Sequence, residues 1–191
     1  KKINQQSDLY VYYLMHTAAF LKNKGRLGYV IASSWLDISF GAGLQKFLLN
    51  NFKIIAIVDH QKSRSFETAS INTVILILEK CTDIDERENN EIKFVRVYSD
   101  YEDIIESSNH ENRFQLVKNF TSQIENAKND FESDNYSVQI INQANLEQLS
   151  TDENGYSNGY WGAKYLRSPK IYNKIIQKAN KKFLKLEDVI E

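Results

Sequence analysis

Four short stretches of the 191-residue sequence carry residue types that could act on a substrate. In "SRSFETASINTVILILEK", residues 63–80, Phe66 stands alone in a polar segment just ahead of an aliphatic run. An aromatic in that setting is either a packing residue folded back onto its domain or a π-face offered to a planar ligand. Lys62 and Arg64 put two cations beside it. In "SFGAG", Gly41 and Gly43 precede a helix-like run, and Asp59 closes the next aliphatic run, an order that imitates a dinucleotide or S-adenosylmethionine fingerprint. Several residues, Trp35, Leu36 and Asp37 among them, separate the preceding strand from these glycines, and a third glycine is absent. The turn is therefore not the tight one that aims helix N–H groups at a phosphate, and glycines easing a loop into its helix fit better. Ser33 and Ser34 in "ASSWLD" lack the Gly-x-Ser-x-Gly elbow, and neither His16, inside a helical run, nor His60, at a strand end, stands where a base is needed. Hydrolytic chemistry is not supported. The last stretch runs from Lys164 to Lys182 with seven basic residues and no acidic one, which is either a solvated helix face or a phosphate-binding surface.

Elements that could position these residues are legible in the first eighty positions. "SDLYVYYLMHTAAFLKNKG" predicts a helix with Ser7 as N-cap, a stripe of Tyr10, Leu14, Ala18 and Leu21, and a basic end before Gly25. "RLGYVIA" and "KIIAIVDH" read as strands around the amphipathic "GLQKFLLNNF". The near-continuous apolar "INTVILILE" predicts a strand buried on both faces. Past Cys81 the acidic "TDIDERENNE" reads as a solvated loop, and "IKFVRVYS" as an edge strand because of its inner charges. Two weaker helical segments, near 101–106 and 113–128, and a short "YSVQII" strand follow. "STDENGYSNGYWG", residues 150–162, is the best boundary candidate, and Ser168 with Pro169 opens a last helix running to about Asn180. The order predicts an α/β layered fold with a mixed α+β extension.

Composition narrows the classes. The length allows one domain or one plus part of another, the net charge of −1 argues against a general nucleic-acid coat, and a single cysteine excludes an internal disulfide framework. No zinc pattern occurs, and no apolar run approaches membrane-spanning length, so no metal, no membrane and a cytoplasmic location are expected.

Taken in order, "SDLYVYYLMHTAAFLKNKGRLGYVIASSWLD", "GLQKFLLNNFKIIAIVD" and "SFETASINTVILILEK" resemble the second half of the catalytic domain of adenine-N6-specific DNA methyltransferases. The nearest type is that of fused type II (IIG-like) restriction-modification enzymes and related phage-defence methylases. Asp8-Leu9-Tyr10 resembles the (Asp/Asn)-Leu-Tyr start of the helix after the catalytic loop. "GRLGYVIASSWL" resembles a strand ending in Pro-x-x-Trp-Leu, with Ala32 replacing proline, and "LRSPKIYNKI" resembles the segment leading towards a target-recognition region.

The resemblance implies a partial Rossmann-like methyltransferase fold over 1–98, a helical or irregular extension over 99–155, and a connector over 156–191. It implies S-adenosylmethionine as methyl donor and double-stranded DNA as substrate, with the adenine flipped out of the duplex. Phe66 matches the aromatic that stacks on that adenine; Leu9, Tyr10 and Tyr13 match the donor pocket; Lys62, Arg64, Lys174 and Lys178 are the expected DNA contacts. With Pro169 as the sole proline, the family's Asn-Pro-Pro-Tyr loop cannot occur in these residues, so the chain alone is expected neither to bind the donor tightly nor to methylate DNA. The remainder of a parent methylase, or a second copy at an exposed sheet edge, is the expected protein partner. A DNA-recognition or assembly module without chemistry, and a Rossmann-type nucleotide-binding enzyme using Gly41, Gly43 and Asp59, are the competing readings.

Overall fold

The computed structural model describes residues 8–61, 71–105 and 109–169, together with Tyr172 and Ile175. Its elements run α1 (Leu9–Phe20), β1 (Arg26–Ala32), a 3-10 turn (Ser33–Leu36), α2 (Gly41–Asn51), β2 (Phe52–His60), β3 (Thr73–Lys80), α3 (Ile84–Glu88) and β4 (Glu91–Val97). They continue with α4 (Tyr101–Ile105), α5 (His110–Glu125), β5 (Phe131–Glu132), β6 (Tyr136–Asn142), α6 (Gln143–Gln148), β7 (Thr151–Asp152), β8 (Gly155–Tyr156) and a π-helical turn (Gly162–Arg167). Six strands form one mixed sheet in the order β1-β3-β2-β4-β6-β5, in which only β2 and β4 run parallel.

Each helix follows from local pattern, with corrections of detail. Asp8 caps α1 by accepting from Leu9 N at 2.7 Å, and Ser7, the expected cap, lies outside the described residues. The buried stripe is Val11, Leu14 and Ala18, while Tyr10 and Leu21 pack half-buried at its margin. Lys24 takes the left-handed turn conformation (φ 66°), and Gly25 is needed because a Cβ there would meet Lys22 O at 2.8 Å. The acidic stretch after Cys81 is not all loop: Asp83 accepts from Glu86 N and caps the short helix α3.

The sheet separates two cores. On one face α1, α2 and α6 pack around Trp35, Leu48, Ile57 and Leu76; on the other, α4 and α5 cover Val58, Val95 and Val138. The second cover is incomplete. Between α5 and the sheet lies an apolar cleft of ≈ 420 Å³ whose walls include Ile75, Ile77, Phe120 and Ile124. That is why β3 alternates buried and half-buried residues instead of being buried on both faces as predicted.

Two further expectations are corrected. β4 is an interior strand, paired with β2 and β6, not an edge. Its charges find these partners: Lys93 Nζ donates to Glu91 O at 3.1 Å, and Arg96 Nη1 donates to Ser168 O at 3.1 Å while its guanidinium lies over the Tyr98 ring. Burial pushes the Lys93 ammonium down from its ordinary pKa. The Gly/Asn-rich segment 150–162 does not hang between units. Trp161 is fully buried edge-to-face with Trp35 at 5.8 Å, and Tyr156 joins the same core. Buried Gln45 bonds this segment to α2, its Oε1 accepting from Tyr156 OH and Gly159 N, both at 3.0 Å.

Two side chains repair an irregularity in β2. The register against β3 shifts between Ile54 and Ala56, and the ladder to β4 begins only at Ala56. Gln143, buried at the start of α6, accepts from Ile54 N at 3.1 Å and donates to Phe52 O at 2.8 Å, while Asn90 donates to Ile54 O at 2.9 Å. Backbone groups left over by the bulge are thereby satisfied.

Candidate functional site

β1, β2 and β4 all end, and β3 begins, at one end of the sheet. Ala32 faces Thr73, Asp59 faces Val74, and His60 faces Val97. The crossing from β2 to β3 is anchored there at both sides, by Gln61 N donating to Val97 O at 2.9 Å and Ser33 N donating to Asn72 O at 2.8 Å. Phe66, Lys62 and Arg64 belong to that crossing and lie outside the described residues, as do Lys174 and Lys178.

α1 brings its first turn to this end. Tyr10 OH and Ser34 Oγ are 3.2 Å apart, which ties the helix to the turn after β1. Burial raises the Tyr10 pKa, opposed by the Ser34 hydrogen bond and assisted by the Asp8 charge, so the phenol stays protonated at neutral pH. Leu9 and Tyr13, one helical turn apart, share a solvent face and are 63% and 58% exposed. The three expected donor-pocket residues therefore split into one that faces protein and two that face outward. Leu9 and Tyr13 thus leave two uncovered side chains on the outer face of α1.

The competing Rossmann reading loses its residues to structure. A Cβ on Gly41 would strike the Trp35 carbonyl, so this glycine serves the close approach of α2 to the 3-10 turn. Asp59 is buried beside Arg167, with Nε to Oδ2 at 3.9 Å. Burial raises its pKa, against the lowering pull of Arg167, a Gln61 hydrogen bond and Arg96. Arg167 also pairs with Asp37, so this member of the basic run is held by carboxylates. Sequence reading missed the Asp37–Arg167 pair because the partners lie 130 positions apart and no local spacing joins them. His60 is structural, stacked on Tyr101 at 4.6 Å and hydrogen-bonded to Ser99 O at 2.9 Å.

Residues 1–66, which run through α1, β1, α2 and β2 into the crossing, match the family described as Eco57I restriction-modification methylase. The likeness covers about a third of the chain. The type II methyltransferase M.BstVI of Geobacillus stearothermophilus is 34% identical over 65 residues, 34% of this chain and 12% of that protein. Beyond those residues the likeness is one of fold. The type IIG restriction endonuclease BpuSI superposes with a TM-score of 0.57 at 13% identity, over 77% of this chain and 16% of that one. A modification subunit of a putative type I restriction enzyme from Vibrio vulnificus YJ016 gives 0.57 at 14% identity, over 90% of this chain and 35% of that one. The chain thus spans about an eighth of the curated methyltransferase and at most about a third of these two structures. Among the described residues, no helix is long and apolar enough to cross a membrane.

Proposed function

We propose that the chain is part of a site-specific DNA adenine-N6 methyltransferase of a restriction-modification system, drawing its methyl group from S-adenosylmethionine. The observation that carries this reading is the meeting at one sheet end of the α1 first turn, with Leu9 and Tyr13 bare and Tyr10 tied to Ser34, and the two anchors of the crossing that bears Phe66. A donor adenine against the first turn of α1 would sit at the sheet end from which the crossing that bears Phe66 departs, and transfer then requires the sulfonium methyl in line with the N6 of the flipped adenine. Lys62, Arg64, Lys174 and Lys178 supply phosphate contacts in this reading. Stacking on Phe66 supplies about 1–3 kcal/mol towards holding the extruded base.

The test has two parts. Radiolabelled methyl transfer to duplex DNA by the 191-residue chain alone is expected at background. Joined to the portion of M.BstVI that precedes its matching residues, the chain is expected to yield N6-methyladenine by mass spectrometry of digested DNA. Phe66→Ala in that protein is expected to lower kcat/KM about 10- to 100-fold. N4-methylcytosine as the sole product, or an unaltered rate in the Phe66 variant, would refute the assignment.

A further inference from the structure

Arg167 is clamped from several directions. Its Nη1 donates to Asp37 Oδ2 and its Nε lies 3.9 Å from Asp59 Oδ2, so one guanidinium spans carboxylates on the turn after β1 and at the end of β2. Asp37 Oδ1 accepts from Ala163 N at 2.7 Å, at the start of the π-helical turn. Gly162 presses on this pair so closely that a Cβ there would strike both the Asp37 carboxylate and Arg167 Nη1. The backbone on either side of Arg167 is also held, with Gln61 Nε2 donating to Leu166 O at 2.7 Å and Arg96 Nη1 to Ser168 O at 3.1 Å. A π-helical turn is a rare irregularity, and here the ends of β2 and β4 and the turn after β1 all fix it. Only a planar, forked cation spans two carboxylates in this way; an ammonium is a single point charge.

We propose that Arg167 is a positioning residue: its lock on Asp37 and Asp59 fixes the direction in which residues 161–169 leave the sheet end. Gln61, which opens the crossing from β2 to β3, is bound to the same backbone. The lock stands on the geometry; its consequence rests on the methylase reading. In that setting, DNA contacts made beyond Pro169 reach the sheet end through a rigid link, not a hinge.

Hydrogen exchange of the whole 191-residue chain, read by mass spectrometry, tests the lock. Arg167→Lys and Asp37→Asn are each expected to speed exchange at amides 161–168 by about tenfold, with α1 and β3 altered less than about twofold. Unchanged protection of 161–168 overturns the proposal, and so does a uniform loss across the chain, which marks a plain folding defect. In the M.BstVI-joined protein, Arg167→Lys is expected to raise KM for duplex DNA about tenfold, with kcat and KM for the methyl donor within about twofold. A fall in kcat with KM for DNA unchanged overturns it. If the unsubstituted joined protein transfers no methyl group, the methylase reading fails and the exchange result still decides the lock.

Discussion

Glu79 is the residue whose charge the fold uses most openly. Its Oε1 lies 2.6 Å from Lys53 Nζ and its Oε2 3.2 Å from Arg26 Nε, binding the far end of β3 to β2 and β1. The Lys53 hydrogen bond, with help from Arg26 and against partial burial, holds the carboxyl below its ordinary 4.5. A lowered acid pKa means that the unfolded chain binds the proton first, so the stabilisation is complete above the unfolded value and is lost as pH falls through the folded one. Glu79→Gln is expected to cost about 1 kcal/mol at pH 7 by urea denaturation, and that cost should shrink towards zero as the pH is brought below the folded value. A cost that stays constant with pH would show that the ion pairs are not its source. Neither partner was legible beforehand, because Lys53 and Glu79 become neighbours only through the antiparallel register of β2 and β3.

At the scale of elements, the first eighty residues read cleanly because their periodicities are local. The 3.6-residue stripe of α1 and the aliphatic runs of β1, β2 and β3 need no distant partner to be recognised. β4 was misread as an edge because its lysine and arginine are polar in any window, and only the pairing with β6 and the bond from Arg96 to the connector set them half-buried inside the sheet. The bulge in β2 had no signal at all. Its repair by Gln143 yields a sharp expectation: Gln143→Leu, similar in volume but unable to bond, should destabilise the protein by about 2–4 kcal/mol, since Ile54 N and Phe52 O lose their side-chain partner. Chemical denaturation measures this, and a loss under about 0.5 kcal/mol would mean that the bulge relaxes without it.

At the scale of the whole molecule, one flank is left open. β1 ends the sheet with nothing paired on its outer side among the described residues, Val30 projects from it, and α1 carries Leu9, Tyr12, Tyr13 and Phe20 exposed. A free strand edge beside an apolar helix face is an association surface. We expect the 191-residue chain on its own to self-associate with rising concentration. Val30→Lys should shift sedimentation towards the monomer; identical sedimentation of the two proteins would remove this surface from consideration. By itself the sequence carried the helices and strands of the first eighty residues, because these rest on spacings within a few positions, and the resemblance that singles out Leu9, Tyr10, Tyr13 and Phe66 as candidates. Only the tertiary structure decided that Tyr10 turns inward while Leu9 and Tyr13 face out, that Trp161 closes the same core as Trp35, and that Arg167 answers to Asp37 and Asp59. Those outcomes depend on which distant surfaces meet when the sheet is assembled, and burial, not local pattern, sets their energy.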